Sequence, residues 1–347
     1  MKSSTTTIYA VGFYPWKRRI LRALRPEASI KFIRSPRLIP RHQNLELAAW
    51  GLDFAKERFP KSCRLTRYED GFIRSIGLGA AFAPAYSWVA DSRGMYFDAS
   101  QPSDLEVILQ QENFPYSLLE RARALHRKIL NAGLTKYNLA ANAWSRPPSA
   151  RRVILVPGQV ESDSSIRYGS PNIHTNIGLL QAVRGSNYDA YIVYKPHPDV
   201  VAGRRRSGLG ENKATDWCDE VVADASMDKL LQSVDEVHVL TSLAGFEGLL
   251  RGKRVVTYGQ PFYAGWGLTE DRFPVPRRRR KLDLSELIAG ALIKYPLYLS
   301  PSTGRPCTPE QLIDELSTPT AAVTPSFGEK ILQRVSSSSL WSKLIAK

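Results

Sequence analysis

Short runs of consecutive apolar residues alternate along the chain with longer stretches in which apolar positions recur every three or four residues. IYAVGF (8–13), SIKFI (29–33) and CRLTRY (63–68) have the length of buried strands, as do VILVPG (153–158), AYIVYK (190–195), EVHVLT (236–241) and RVVTYG (254–259). PSDLEVILQQ, SLLERARALHRKIL, NIGLLQAVR and LAGFEGLLRGK, lying between strand runs, carry helical spacing. Strand and helix in alternation predict parallel sheets covered on both faces, an α/β doubly wound class. The proline-rich basic break WSRPPSARR (144–152) precedes a new strand. It predicts two Rossmann-like domains, 1–147 and 148–316, facing a central cleft, with ligands beyond the carboxyl ends of strands.

The remainder, 317–347, differs in kind. STPTAAVTPSFGEK is a Ser/Thr/Pro-rich linker, and ILQRVSSSSLWSKLIAK spaces Ile331, Leu332, Val335, Leu340, Trp341, Leu344 and Ile345 among basic residues and serines. Such a segment lies in a membrane interface, docks as a helix on the body, or is a frayed end.

Composition narrows the function. An apolar fraction of 43% excludes a disordered chain. No apolar run is long enough to cross a bilayer, and the first residues lack a signal-peptide core. Cys63, Cys218 and Cys307 are scattered without CxxC spacing, which argues against a disulfide framework or zinc site and for the cytoplasm. The net charge of +15 favours an anionic partner. With no zinc-finger spacing and no RNP-like strand, nucleic acid is set aside in favour of a membrane surface or an anionic substrate. The runs Arg204–Arg206 and Arg277–Arg280 read as solvated loops.

Several strand ends carry chemistry. AYIVYK ends in Lys195-Pro196-His197-Pro198; Pro198 suits the first turn of a helix, placing His197 beside backbone N–H groups able to meet a phosphate. EVHVLT ends in Thr241-Ser242 and opens LAGFEGLLRGK, where Ser242 is an ordinary N-cap, a phosphate ligand, or both. Gly245 would admit a close backbone approach, and Glu247 could meet a ribose. In the first half Glu69-Asp70-Gly71 closes a strand. One acid can shuttle a proton while the other is held by a partner such as Arg74, although adjacent acids also form simple turns. The polar loop PGQVESDSSIRYG places Asp163 before Arg167 and Tyr168, as a nucleophile, a base, or a solvated acid. No acidic cluster has convincing metal-ligand spacing, and neither GxGxxG nor a P-loop occurs.

EDGFIRSIGLG, YKPHPDV, TSLAGFEGLLRGK and PFYAGWGLTED, in this order, resemble the bacterial capsule-polysaccharide β-Kdo transferases, from about Tyr9 to about Leu316. Kdo is 3-deoxy-D-manno-oct-2-ulosonic acid. Enzymes of this kind carry two such modules; this chain has one, whose wording is closer to the second. Two Rossmann-like domains facing a cleft are the GT-B plan, and the chain is expected in the cytoplasm or peripheral on the inner face of the inner membrane. The resemblance implies CMP-β-Kdo as donor, a glycan or glycolipid acceptor, no metal or other cofactor, and retention of configuration. It casts Glu69 as acid/base with Asp70 in support, Asp163 as nucleophile, and His197 and Ser242 as ligands of the CMP phosphate. Lys195, Arg74 and Arg167 could hold the sugar carboxylate or departing phosphate. The family's acid just before the nucleophile is here Ser162. Tyr263 and Trp266 of PFYAGWG form either a loop at the donor end of the cleft or an aromatic plug in the core. Two alternatives stand beside this: an inverting, sialyltransferase-like enzyme, and a non-catalytic glycan- or nucleotide-binding subunit.

Overall fold

The computed structural model describes residues 6–40, 45–52, 54, 59–61, 63–73, 85–135 and 142–317. Arg74 and the segment 318–347, with its expected interfacial helix, lie outside these residues. Two sheets organise the chain. The first contains β1 (Thr7–Val11), β2 (Ser29–Ile33), β3 (Glu46–Trp50), β4 (Arg64–Asp70) and β5 (Ser87–Asp91), together with β12 (Pro296–Leu299) and β13 (Pro306–Cys307). The second contains β6 (Val153–Pro157), β7 (Tyr191–Lys195), β8 (Glu220–Val221), β9 (Glu236–Val239), β10 (Arg254–Thr257) and β11 (Glu270–Asp271).

Every described pairing in the second sheet is parallel, in the order β11-β10-β9-β6-β7-β8. Its inner strands are fully buried, which is why VILVP and YIVYK read as unbroken apolar runs rather than alternating ones. Helices α4 (Ser164–Gly169), α5 (Asn176–Ser186), α6 (Pro198–Val201), α7 (Met227–Ser233) and α8 (Leu243–Leu250) connect its strands.

The first sheet corrects the expectation of parallel strands throughout. β1 to β4 are mutually parallel, but β5 pairs antiparallel with β4, β12 with β5, and β13 with β12. The division at 148–316 is corrected with it. After α9 (Leu284–Ile288) and a π-helical turn over Ala289–Lys294, the chain returns to the first sheet and adds β12 and β13. α10 (Pro309–Ser317) follows; its Glu310 accepts Arg121 of α3 (Tyr116–Asn131) at 2.8 Å. Among the described residues no helix is long and apolar enough to cross a membrane.

The two halves share one core. α1 (Pro15–Leu24) covers the first sheet, with Phe13 packing on Tyr68 and Trp88. α2 (Asp104–Gln111) and α3 join a cluster that includes Val237, Phe246 and Val255 of the second sheet's layer. The Arg277–Arg280 run is not the solvated loop expected. Arg277 and Arg278 both bond Glu106 of α2, the latter at 2.9 Å, and buried Arg278 also donates to the carbonyls of Pro261 and Ala264. Arg204–Arg206 are exposed, as expected.

Candidate active site

β6 lies where the strand order of the second sheet reverses: the chain builds β7 and β8 on one side, then β9 to β11 on the other. The carboxyl edge between the loops leaving β6 and β9 is the usual ligand position in such sheets. Gln159 bridges the two loops. Its side-chain carbonyl accepts Thr241 N–H at 3.0 Å, and its amide nitrogen donates to Thr241 Oγ1 at 3.1 Å. Its backbone is clamped in turn by the Asn176 side chain, at 2.9 Å in both directions.

Asp163 ends this loop as the N-cap of α4, exposed, accepting Ser165 N–H at 2.8 Å and Ser165 Oγ–H at 2.7 Å. Glu161, two residues earlier, is held by the N–H groups of Asn176 at 2.8 Å and Leu209 at 2.9 Å. Gly158 lets the loop pass close to α6: a Cβ there would lie 3.3 Å from His197 N and 2.6 Å from Tyr194 Oη. His197 caps α6, its Nδ1 accepting Asp199 N–H at 3.2 Å, with Pro198 at the first position as its fixed φ favours. With Nδ1 accepting, a neutral ring carries its proton on Nε2. Ser242 caps α8, accepting Ala244 N–H at 3.2 Å.

The first sheet brings its own acids to its carboxyl edge. Successive side chains of a strand point to opposite faces. Asp70 thus shares the face of Tyr68 and meets α1, where Lys17 Nζ stands 3.6 Å from Asp70 Oδ1 and 3.0 Å from the centre of the Trp50 ring. Glu69, half-buried, accepts the Asp70 N–H at 2.9 Å. Gly71 serves the sheet: a Cβ there would lie 3.0 Å from Ser87 Cβ on β5. Phe72 then presses the motif against the second half, its ring 4.3 Å from Phe262 and 6.4 Å from Phe246 of α8.

Burial pushes the Glu69 carboxyl up to about 7, and the Asp70 charge adds to the rise. Lys17 and the Asp70 N–H oppose it, and Asp163 raises it further. A carboxyl that titrates near neutrality can both accept and return a proton, beside a second, separate carboxylate.

Four expected ligands are engaged elsewhere or lie apart. The Lys195 ammonium is buried and donates to the carbonyls of Ala223 at 3.1 Å and Ala225 at 2.8 Å, and burial lowers its pKa. Gly245 admits the ring of Tyr263; a Cβ there would lie 2.8 Å from Tyr263 Cζ, while the Tyr263 hydroxyl donates to the Ser242 carbonyl. Glu247 is buried within α8, and its charge is among the causes that raise the Tyr263 pKa. Arg167 is exposed on α4, 5.2 Å from the ring of Tyr168. Tyr263 and Trp266 are core residues, which decides for the aromatic plug over the cleft loop. Among the described residues no group of three or more His, Cys, Asp or Glu is gathered to hold a metal ion.

Residues 50–143 and 113–298 match the model of a family described as capsule polysaccharide biosynthesis protein. The chain belongs to this capsule family. It is 45% identical over 307 residues to the capsule polysaccharide modification protein LipA of Neisseria meningitidis serogroup B, covering 85% of this chain and 43% of LipA. The chain thus spans less than half of that relative's length. It is 38% identical over 327 residues to the lipopolysaccharide-processing protein LpsZ of Rhizobium meliloti, covering 89% of this chain and 74% of LpsZ. Among solved structures it is similar to the beta Kdo 2,7 transferase of Thermosulfurimonas dismutans KpsC, with a TM-score of 0.76 and 43% identity over 90% of this chain and 98% of that one. The beta Kdo 2,4 transferase of the same KpsC gives a TM-score of 0.78 and 31% identity over 89% and 98%. The family resemblance read from the four motifs is thereby established.

Gln159, Asn176 and Glu161 are the residues of this capsule-family site that the motifs did not single out. Their signal was topological: Gln159 follows the strand at which the sheet order reverses.

Proposed function

We propose that the chain is a retaining β-Kdo transferase of GT-B plan, moving Kdo from CMP-β-Kdo to a glycan or glycolipid acceptor in capsule biosynthesis. The observation that carries this is Glu69 at the end of β4, pushed up to about 7 chiefly by burial and the Asp70 charge, with Asp163 from the other half adding a smaller contribution. The similarity to solved Kdo transferases supplies the sugar. The higher identity to the 2,7 transferase favours attack by the 7-hydroxyl of a Kdo-terminated acceptor.

In this scheme the donor lies at the carboxyl edge between the β6 and β9 loops, its phosphate against His197, Thr241 and Ser242. The Asp163 carboxylate attacks the anomeric carbon and CMP departs with the bonding pair. The acceptor hydroxyl then attacks the same carbon, displacing Asp163 and giving its proton to Glu69. Two inversions restore the β configuration, the two-carboxylate logic of retaining glycosidases. Asp70 and Lys17 set the charge around Glu69. CMP is a good leaving group, so the scheme uses no metal. A second reading rests on Asp163 being committed to capping its own helix: Glu69 would then act as direct base in a single inverting displacement.

The test is transfer from CMP-Kdo to a synthetic Kdo-terminated acceptor in excess EDTA, with the product's configuration and linkage read by NMR. A β-linked product supports the proposal. An α-linked product favours the inverting reading, and restoration of lost activity by Mg²⁺ removes the metal-free scheme.

A further inference from the structure

The first part of the chain is strongly basic. Over residues 6–40 eight of the nine charged residues are Lys or Arg, the exception being Glu27. Lys17 and Arg25 serve the first sheet, pairing with Asp70 and with Glu27 and Glu46. Arg18, Arg19, Arg22, Lys31, Arg34 and Arg37 make no ion pair with any described residue. Arg18 and Arg22 lie over the ring of Phe32, at 5.1 and 4.9 Å; half-buried Arg18 also donates to the Phe13 carbonyl at 3.1 Å, while Arg22 is exposed.

Topology puts the tip of this surface beside the candidate site. β1, β2, β3 and β4 are parallel, so their carboxyl ends, at Val11, Ile33, Trp50 and Asp70, share one edge of the sheet. The segment leaving β1 carries Tyr14, 51% exposed and stacked on Trp16 at 4.9 Å. The segment leaving the neighbouring strand β2 carries exposed Arg34 and Arg37 and ends in Leu38, 62% exposed. Paired strands lie about 5 Å apart, which makes these two segments neighbours. Exposed aromatic and aliphatic side chains ringed by arginine match the boundary of an anionic bilayer, where rings settle at the headgroups and cations meet phosphates.

We propose that α1 and the turn after β2 form a docking face for an acidic phospholipid membrane, holding the carboxyl edge of the first sheet, with Glu69 and Asp70, toward the lipid surface. The docking face stands on its own geometry. Its use in presenting a lipid-linked acceptor rests on the proposed transferase function.

The experiment is co-sedimentation of the full chain, without donor, with vesicles of phosphatidylcholine alone or mixed with phosphatidylglycerol. The variant Arg19→Gln/Arg34→Gln/Arg37→Gln is compared with Arg204→Gln/Arg205→Gln/Arg206→Gln, which removes the same charge from an exposed run on the other half. The wild type and the second variant are expected to sediment with the acidic vesicles alike. The first variant is expected to weaken by at least roughly ten-fold, as loss of several interfacial cations implies. Tyr14→Ser/Leu38→Ser, which leaves charge unchanged, is also expected to weaken sedimentation. All the substituted side chains are exposed, Tyr14 stacking on Trp16, and melting curves check each variant. Equal loss in both arginine variants reduces the effect to net charge and overturns the proposal. So does unchanged sedimentation of the first variant, which would leave the anchor elsewhere in the chain. Transfer to a short soluble acceptor is the remaining arm: a fall there with sedimentation intact would make the face a glycan site and overturn membrane docking.

Discussion

Glu69, at the end of β4, and Asp163, at the start of α4, belong to different sheets, yet the Asp163 charge helps to hold the Glu69 carboxyl near 7. Phe72, just past the end of β4, packs this strand end onto Phe246 and Phe262 of the other half.

A pH dependence follows from it. The unfolded chain releases the Glu69 proton near the ordinary glutamate value, and the folded chain near 7. Between those values the folded state holds a proton that the unfolded state has lost. Glu69 therefore reduces stability as pH rises through this window, by on the order of 2 kcal/mol, with no further change above it. Glu69→Gln, which cannot ionise, is expected to gain melting temperature relative to the wild type from pH 5 to pH 8. A constant difference across that range would mean that Glu69 titrates normally.

Gly245 is expected to be a packing residue. Alanine there would collide with the buried Tyr263 ring and cost about 2 kcal/mol in denaturant unfolding. Tyr263→Phe in the same chain should recover part of that loss, because the hydroxyl is among the nearest atoms. Weakened CMP binding with unaltered stability would restore the expectation of a ligand at this glycine.

Lys195→Met keeps the aliphatic stem and strands the buried Ala225 carbonyl, so the melting temperature should fall, by the equivalent of about 2 kcal/mol. CMP affinity by calorimetry should stay within about three-fold, less than one charge-assisted hydrogen bond is worth. A loss of ten-fold or more with the fold intact would return the ammonium to the donor pocket.

Gln159→Met removes both bonds to Thr241 at nearly constant volume. Loosening the β9 loop should lower kcat/KM by about ten-fold, the equivalent of one net hydrogen bond. Unchanged donor kinetics would show that the bridge does not shape the donor site.

Much of the fold could be read from local pattern because its inner strands are continuous apolar runs ending in polar turns, as at Pro157, Lys195 and Thr257. ELAAW and SWVAD, which form β3 and β5, are short and carry alanine among few β-branched residues, so their local pattern marks a strand less clearly than the Val/Ile runs do. The return of PLYL to the first sheet depends on pairing with distant β5, which no local pattern records. The same limit applies at the site. Strand-end position exposed Glu69, Asp163, His197 and Ser242, since caps and turns are local. The inward turn of Lys195 depends on carbonyls supplied after β8, and the burial of Trp266 on Gly265 and Gly267 at φ of 87° and 81°, which fold PFYAGWG back onto Arg278. Arg278 itself is buried where Glu106 meets it from the other half and the Pro261 and Ala264 carbonyls accept its remaining N–H groups.

The most direct test of the account is a covalent one. Glu69→Gln should be slow to discharge a sugar from Asp163, because a neutral amide cannot take the acceptor's proton. Incubated with CMP-Kdo and no acceptor, this variant should gain the mass of one Kdo residue in intact-mass spectrometry, with the label mapped to the VESDSSIRYG segment. Asp163→Asn should show neither adduct nor transfer. A label on another residue, or near-normal transfer by Asp163→Asn, would contradict Asp163 as the nucleophile.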